Sequence, residues 1–294
     1  MSVAGDAAPE REAALARFAA MLAVPDGDID LARACLEIAA DAYPGLDVEG
    51  YAGEIDRHAR RLAARLDPAA APEDRVIALN EFLFAELGFR GNADDYYDPR
   101  NSYLNEVLDR RTGIPITLSV LYLEMGRRLG LALRGVSFPG HFLVRLPLRG
   151  GTLVLDPFSG GAPLSADDLR ERLARVIPRG ATGGLPVADL PLETFLEPAG
   201  HRQILARLLR NLKGIYREEE RPERLLAVLD RMIVVAPEAA AERRDRGYAY
   251  ERLECWRPAL RDLADYLERA PDAEDVHEVR ARVAALSGRC ARLN

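Results

Sequence analysis

Lysine is nearly absent from this sequence: Lys213 is the single lysine among 40 basic residues. A mechanism that depends on a lysine Schiff base is therefore disfavoured. Cysteine is also scarce, and Cys35, Cys255 and Cys290 are odd in number and far apart, unlike a disulfide framework. No Cys-x-x-Cys or Cys/His cluster indicates a metal site, so we expect neither a metal nor a cofactor.

Long apolar runs are missing as well. No stretch reaches the roughly 18 apolar residues that a membrane span requires. The opening MSVAGDAAPEREAALARF has acids where a secretory signal would have positive charge. A net charge of −7 disfavours broad nucleic-acid binding. We expect a cytoplasmic protein that binds neither membrane nor nucleic acid, and 294 residues suffice for two modest domains.

The first ~90 residues predict helices, because apolar residues recur at spacings of three and four. The stretches are PEREAALARFAAML, DIDLARACLEIAADAY, VEGYAGEIDRHARRLAARL and PEDRVIALNEFLFAELGF. The polar segment 90–113, RGNADDYYDPRNSYLNEVLDRRTG, is rich in turn formers and predicts a long ordered loop. A helix from about Pro115 to Leu129 should follow, closed by Gly130.

Strands are predicted next, in LALRGVSF, HFLVRL and TLVLDPF, where β-branched and aromatic residues alternate or cluster. SADDLRERLARVI returns to helix, with Ser165 as its N-cap. Residues 178–200 are dense in proline and glycine and predict a boundary between domains.

A 34-residue repeat occupies the end of the chain. Tyr216 and Tyr250, Leu229 and Leu263, and the Ala-Pro pairs at 236 and 270 are all 34 residues apart. This period, with two helices per unit, is that of tetratricopeptide repeats. The second copy fits the pattern better than the first, and DVHEVRARVAALSGR would be the capping helix.

The hairpin between the last two strands decides whether His141 meets Asp156. Pro147 cannot donate to a strand ladder, so the first strand should end before it. A four-residue loop over 147–150 then places His141 opposite Asp156, with Cβ atoms about 5 Å apart. The shorter Gly150-Gly151 turn would instead pair Asp156 with Arg145. A His–Asp contact could be a structural hydrogen bond or the base-and-orienter half of a nucleophilic triad.

The segment from Arg111 to Asp156 resembles the transglutaminase-like superfamily. Arg111-Thr112-Gly113-Ile114-Pro115 is similar to its Arg-x-Gly-x-Cys motif, which opens a helix, and Gly130-Leu131-Ala132-Leu133-Arg134 to its Gly-x-x-x-Arg stretch. His141 and Asp156 then follow where the family has its catalytic histidine and aspartate. The sequence also looks like that of the SirB group, whose members add C-terminal tetratricopeptide repeats. This likeness rests on the stretches DYYDPRNSYLNEVLDRRTGIPITLSVLYLE, FPGHFLVR and LDPFSGG.

Pro115 departs from this pattern, because it stands where active relatives have the catalytic cysteine. Proline suits the first helical turn as well as cysteine does. Helical geometry turns Thr117 away and sets Ser119 about 6 Å further along the axis, while Thr112 and Ser102, which precede the helix, stay open as alternatives. Cys35, on an apolar face, is expected in the core.

Other candidate site residues are inferred from the resemblance. Asn101, Tyr103, Asn105 and Arg111 bracket the loop that the fold would place beside the cleft. Their side chains could hold a ligand, or could satisfy the loop's own backbone. Gly140 would let a chain approach His141 closely.

We therefore expect an α+β protein with a mainly helical N-terminal region and a papain/transglutaminase-like core of helices and antiparallel sheet, followed by an all-α repeat stack. The expected boundaries are 1–177 for the core with its N-terminal helices, 178–200 for a linker and 201–294 for the repeats. The expected function is that of a catalytically degenerate binding or regulatory scaffold, with a protein or peptide partner on the repeats. The alternative is a cysteine-independent hydrolase in which His141 and Asp156 act as a general-base pair.

Overall fold

The computed structural model describes residues 7–178, 186 and 189–292. Its contacts divide the chain into two compact units, residues 26–208 and residues 1–25 with 209–294. These limits assign the N-terminal helix to the repeat unit, whereas the sequence analysis assigned it to the core.

The helices and strands lie as follows. The helices are α1 (Ala7–Met21), α2 (Leu31–Ala40), α3 (Val48–Ala63), α4 (Pro72–Asn80), α5 (Leu104–Arg110), α6 (Pro115–Arg128), α7 (Ala166–Val176), α8 (His201–Glu218), α9 (Pro222–Val235), α10 (Ala240–Arg252), α11 (Trp256–Arg269) and α12 (Val276–Arg292). The strands are β1 (Arg90–Gly91), β2 (Thr112–Gly113), β3 (Arg134–Val136), β4 (Leu143–Leu148), β5 (Gly151–Asp156), β6 (Ala162–Pro163) and β7 (Pro198–Ala199). The helices predicted in the first 90 residues and the three predicted strands, which are β3, β4 and β5, are therefore confirmed.

The central element of the 26–208 unit is α6. Every residue from Pro115 to Gly126 is buried, because the helix is enclosed by α2, α3, α4 and the sheet. Leu129 then ends the helix and Gly130 takes φ +72°, as the sequence predicts for a glycine at C′. An apolar helix with no exposed face fits such a central position.

An antiparallel sheet in the order β6-β5-β4-β3-β7 packs beside α6. Its hydrophobic side is closed by α7, since Val136, Leu143 and Val154 share a core cluster with Leu169 and Leu173. Ser165 caps α7 as predicted: its Oγ accepts from the backbone N–H of Asp168 at 3.2 Å.

The β4–β5 hairpin has neither of the two registers considered for it. Leu148 pairs with Gly151 and Val144 with Leu155, so the loop is the two residues 149–150. β4 also runs through Pro147, contrary to the prediction that it ends there. In a two-residue hairpin Pro147 falls in a non-hydrogen-bonded pair, so its nitrogen points away from β5. On the other side of β4, β3 pairs only with residues 143 to 145. The missing N–H of Pro147 therefore removes no hydrogen bond between strands.

The segment 90–113 is not a long loop throughout. It contains a 3-10 helix, Pro99–Ser102, and then α5. Its ends pair in parallel, Arg90 with Thr112 and Gly91 with Gly113. The spacing of Leu104, Val107 and Leu108, which are all buried, is the helical signal that the polar composition obscured.

The predicted linker 178–200 lies partly outside the described residues, at 179–185 and 187–188. Its last part is integrated into the core, because β7 pairs with β3 through Gly135 and Ala199. A 3-10 helix, Leu192–Phe195, precedes this strand and adds Leu192 to the core cluster. A two-residue edge strand carries too little sequence pattern to be recognised.

The repeat unit reproduces its 34-residue period in the backbone. Glu220 and Glu254 have φ of +55° and +56°. The next N–H in each copy donates to the carbonyl of Tyr216 or Tyr250, at 2.9 Å in both. Identical turns at equivalent positions show that both copies are tetratricopeptide-like hairpins.

Two residues explain the difference between the copies. At Gly247 an added Cβ would lie 2.8 Å from the side chain of Leu263, so α10 and α11 need a glycine there. The first copy has Lys213 instead, and its Nζ lies 2.6 Å from both Glu242 and Asp245 on α10. In the described ranges no helix combines the length and the apolar character that crossing a membrane requires.

Candidate functional site

The junction before α6 is built around Pro115, the first residue of the helix. The hydroxyl of Thr117 is occupied by hydrogen bonds within the junction itself. It donates to the carbonyl of Asn101 at 2.8 Å and accepts from the N–H of Ile114 at 3.1 Å. Ser119 is fully buried, and its Oγ has no hydrogen-bond partner among the described residues. No hydroxyl on this part of α6 is therefore exposed.

His141 lies just before β4, in a turn rather than in a strand. Its N–H donates to the carbonyl of Phe138 at 3.0 Å, and Gly140 completes the turn at φ +69°. Nε2 of His141 lies 2.9 Å from Oδ1 of Asp156, and 18% of the imidazole is exposed. Nδ1 makes no hydrogen bond to any described residue, so it is the free nitrogen of the ring.

Asp156 is the most constrained residue of the site. Its carboxylate is fully buried. Oδ1 accepts from His141 and from the N–H of Phe158 at 3.0 Å; Oδ2 accepts from Ser159 Oγ at 2.9 Å and from Arg172 Nη2 at 2.8 Å. Burial alone would raise the pKa of Asp156, but the hydrogen bonds and charges of His141 and Arg172 outweigh it and lower the pKa to about 2. The carboxylate is therefore ionised at neutral pH.

Arg172 is a site residue that the sequence analysis missed. It lies on α7, sixteen residues after Asp156. Only the packing of α7 against the sheet brings it to the carboxylate. The available signal was weak, since Arg172 is one of several arginines in an amphipathic helix.

An aromatic group flanks His141 and was also missed. Phe158 packs edge-on against the imidazole, with ring centroids 5.9 Å apart. Tyr96 lies edge-on to Phe158 at 6.4 Å and to Tyr97 at 5.3 Å. Tyr97 is 72% exposed. Exposed apolar surface that forms a contiguous patch is typical of interaction sites.

The α6 junction and the His–Asp pair belong to one region. Gly91 pairs with Gly113, two residues before Pro115. A Cβ on Gly91 would lie 2.6 Å from the ring of Phe158, which itself packs against His141. Glycine at position 91 thus lets the 3-10 turn after β5 approach the start of α6.

The loop residues that were candidate ligand contacts are mostly occupied with the protein itself. The amide of Asn101 accepts from Asn92 Nδ2 at 3.1 Å and donates to the carbonyl of Asp95 at 2.7 Å. Tyr103 is buried and packs edge-on against Tyr43 at 5.5 Å. These contacts favour the alternative in which the side chains stabilise the loop.

Asn105 and Arg111 differ from one another. Asn105 is buried on α5, and its Oδ1 has no hydrogen-bond partner among the described residues. Arg111 is exposed, takes the left-handed conformation at φ +54° and donates to the carbonyl of Leu87 at 2.7 Å. Its guanidinium is therefore held by Leu87, at the end of the π-helix Glu81–Glu86 that follows α4, rather than by His141.

Cys35 is buried on α2, as expected for a core residue. Burial raises the pKa of its thiol, and the nearby charges of Glu124 and Asp30 raise it further. The thiol is thus protonated at neutral pH and is a poor nucleophile. Among the described residues no three histidine, cysteine or acidic side chains group as a metal site.

The site has the groups that general-base catalysis by a histidine requires. His141 is oriented through Nε2 by a buried carboxylate, and its free Nδ1 could accept a proton. What a nucleophilic triad additionally requires is a thiol or hydroxyl within hydrogen-bond reach of that nitrogen. None of the side chains described above supplies one.

Comparisons with known proteins agree with this architecture. Residues 49–210 match the model of the transglutaminase-like superfamily, and residues 212–284 match a tetratricopeptide-repeat model. A UPF0162 protein of Xylella fastidiosa is 44% identical over 264 residues, which cover 90% of this chain and 92% of the relative. A UPF0162 protein of Vibrio cholerae is 31% identical over 271 residues, 91% of this chain and 97% of the relative. Protein SirB1 of Salmonella typhimurium is 29% identical over 231 residues, 78% and 82% of the two chains.

The superfamily match covers more than half of the chain, and the repeat match covers most of the rest. The predicted fold class, a transglutaminase-like core of helices and antiparallel sheet followed by helical repeats, is confirmed. This chain therefore belongs to the transglutaminase-like superfamily, as a member of the SirB group in which the core is joined to C-terminal tetratricopeptide repeats.

Proposed function

We propose that this protein is a catalytically degenerate transglutaminase-like protein that works by binding, as a scaffold or regulator. One observation carries the proposal. The residue that begins α6 is a buried proline, while His141 and Asp156 are hydrogen-bonded to each other and are linked to the start of α6 through Phe158 and Gly91. The frame of a cysteine site is retained, and the position of the nucleophile holds a side chain that cannot attack.

The neighbouring residues support this reading. Thr117 uses its hydroxyl to tie the loop before α5 to α6. Ser119 is fully buried, and Cys35 is buried with a raised pKa. Each would have to leave its position in the core before it could reach a substrate.

Two surfaces support a binding role. Beside His141, the group of Phe158, Tyr96 and exposed Tyr97 offers aromatic area to a peptide or a small ligand. The repeat unit offers a second surface, because tetratricopeptide repeats generally mediate contacts between proteins. The proposed partner of the repeats is a protein or peptide.

A second candidate function rests on the free Nδ1 of His141. Because Nε2 is held by Asp156, the imidazole could act as a general base on water without a covalent intermediate. Such a protein would be a hydrolase of amides or esters. Arg172 weighs against this alternative, because it shares the carboxylate and so reduces the support that Asp156 gives to an imidazolium.

The test of degeneracy is a hydrolysis and amine-transfer panel on the purified protein beside His141→Ala. The panel covers peptide amides, glutamine side chains with a primary amine, and activated esters. We expect equal background rates from the two proteins. Turnover at least tenfold above the His141→Ala rate would establish the hydrolase and refute the proposal.

The binding role is tested separately, by comparing the proteins that immobilised variants retain from their own cell lysate. Tyr97→Ala removes the exposed member of the aromatic group that includes Tyr96 and Phe158, and Arg261→Glu reverses an exposed charge on α11. Arg149→Glu, in the β4–β5 loop, is the matched surface control. A specific partner that is lost with one of the first two variants and kept with the control is expected. Identical profiles from all four proteins would contradict the scaffold role.

A further inference from the structure

A cavity of about 310 Å³ lies on a different part of the 26–208 unit from the His141 site. Its walls come from the C-terminal half of α6, from β3 and β7, and from the first turn of α8. Neither Pro115, His141 nor Asp156 lines it. The volume is at the lower end of the range for small-molecule sites, so a ligand would have to be small.

The floor of this cavity includes a buried carboxylate with one free oxygen. The side chain of Glu124 is 2% exposed. Its Oε2 accepts from Arg127 Nη2 at 3.0 Å and from Arg128 Nη1 at 2.5 Å. Oε1 accepts no hydrogen bond from the described residues. Glu124 lines the cavity, and a carboxylate oxygen accepts further hydrogen bonds, so a ligand N–H would complete the hydrogen bonding of this side chain.

A second acceptor is provided by His201, at the start of α8. Its Nδ1 lies 2.9 Å from the carbonyl of Ile29. Because a carbonyl only accepts, Nδ1 carries the hydrogen, and Nε2 of the neutral ring is a lone-pair acceptor. Nε2 has no hydrogen-bond partner in the described part of the chain.

Two arginines line the cavity: Arg127 is paired with Glu124, and Arg134 is the arginine of the Gly-x-x-x-Arg stretch. Arg134 is exposed at the start of β3, and its guanidinium donates to the neighbouring carbonyl of Leu133 at 3.2 Å. Within the described ranges no carboxylate lies within ion-pair distance of it. Arg134 is thus a cavity-lining cation that is available for an anion.

The N-terminus of α8 is not available to bind the same anion. Asp26 already accepts from its first two N–H groups, those of His201 at 2.7 Å and Arg202 at 2.9 Å. The negative charge of Asp26 is therefore used at the helix terminus. The remaining features are one unpaired cation and two unused acceptors.

We propose that this cavity is a binding site for a small zwitterion of the α-amino-acid type. Its carboxylate pairs with Arg134, and its ammonium group donates to Oε1 of Glu124 and to Nε2 of His201. Three leucines, Leu123, Leu131 and Leu133, line the remaining wall and accommodate a short apolar side chain. This site is independent of any catalysis or partner binding at the His141 site.

Calorimetric titration of the full chain tests the proposal, with glycine, L-alanine, L-valine and L-leucine as probes. Each probe is paired with its methyl ester, which lacks the carboxylate, and with its N-acetyl derivative, which lacks the ammonium group. We expect at least one free amino acid to bind, and both derivatives to bind at least tenfold more weakly. An N-acetyl derivative that binds as well as the free amino acid would overturn the assignment of Glu124.

Variants locate the site on the protein. Arg134→Gln changes an exposed residue and should weaken binding at least tenfold, whereas Arg149→Gln, an equal charge change in the β4–β5 loop, should leave it unaltered. Glu124→Gln should also weaken binding, but its burial makes Arg134→Gln the decisive variant. Absence of binding to every probe at millimolar concentration, or equal affinity in the wild type and Arg134→Gln, would refute the proposal.

Discussion

Nη2 of Arg172 lies 2.8 Å from Oδ2 of Asp156, on the opposite side of the carboxylate from His141. The buried acid that orients the imidazole is therefore also held by an arginine, whose charge is permanent. An aspartate that served only a catalytic histidine would not require this partner. We interpret the arginine as fixing the carboxylate in place, which makes the pair a rigid part of the fold.

Asp156 should make the stability of the core depend on acid pH. Its pKa is about 2 in the folded protein and near 3.8 when it is unperturbed. A lowered folded pKa contributes stability above the unfolded value, and this contribution is lost as the pH falls through the folded value. The shift corresponds to about 2 kcal/mol. In urea titrations from pH 6 to pH 2, Asp156→Asn should lower stability at pH 6, and its difference from the wild type should shrink towards pH 2. A difference that is constant with pH would contradict this origin.

Arg172→Gln should separate the contribution of the arginine from that of His141. Removing the guanidinium raises the folded pKa of Asp156, so less stability is present at neutral pH and its loss occurs closer to pH 4. We expect a decrease of about 1 kcal/mol in the free energy of unfolding at pH 7. Arg170→Gln on the same helix is the control, because its partner Asp167 is exposed. Equal effects of the two variants would show that Arg172 acts only through helix stability.

Pro115→Cys should restore a reactive thiol if the junction is a degenerate cysteine site. The first turn of α6 would lower the pKa of that thiol. In a Cys255→Ser, Cys290→Ser background, alkylation by iodoacetamide at pH 7 should be at least tenfold faster than that of buried Cys35. Adding His141→Ala should slow it. Labelling no faster than Cys35 would mean that the junction is closed and that its likeness to a cysteine site ends at the backbone.

Gly140 should be sensitive to a methyl group for two separate reasons. It has φ +69°, and an added Cβ would lie 2.7 Å from Cγ2 of Val176. The left-handed conformation alone costs about 1–2 kcal/mol for alanine. Gly140→Ala should lower the free energy of unfolding by at least that amount, whereas Gly150→Ala, where nothing lies within 4 Å, should have little effect. Val176→Ala should restore only the part due to the contact, so full restoration would argue against backbone strain.

Arg246 should be important for the stability of the repeat unit. It lies 2.6 Å from Oδ2 of Asp262 and 2.9 Å from Oδ1 of Asp230, two carboxylates whose side chains are 8% exposed. Arg246→Gln leaves Asp262 without its cation, whereas Asp230 keeps its ion pair with Arg11, and we expect a cost of about 3–5 kcal/mol for the uncompensated buried acid. Adding Asp262→Asn should recover part of the loss in thermal unfolding, and Arg261→Gln nearby should be nearly neutral. No recovery in the double variant would mean that Arg246 acts through packing alone.

Local features of the core were predictable from a few neighbouring residues. The start of α6 at Pro115, its end before Gly130 and the Ser165 cap all depend on bonds that span three or four residues. The spacing of His141 and Asp156 identified a contact that exists, although the register used to derive it was wrong. The contact arises because the turn at Gly140 carries His141 out of the strand and towards the carboxylate.

The sequence by itself determined most of the helices, the three predicted strands, the proline that begins α6, the 34-residue repeat and membership of the family, because these depend on periodicity and short motifs. Only the tertiary structure decided the hairpin register, the pairing of Arg172 with Asp156, the occupation of Asn101 by its own loop and the cavity beside Arg134. These features depend on which side chains meet when α7, the sheet and α8 pack. No pattern within one segment contains that information, because hydrophobic burial specifies that faces meet but not which charged residues at their edges become partners.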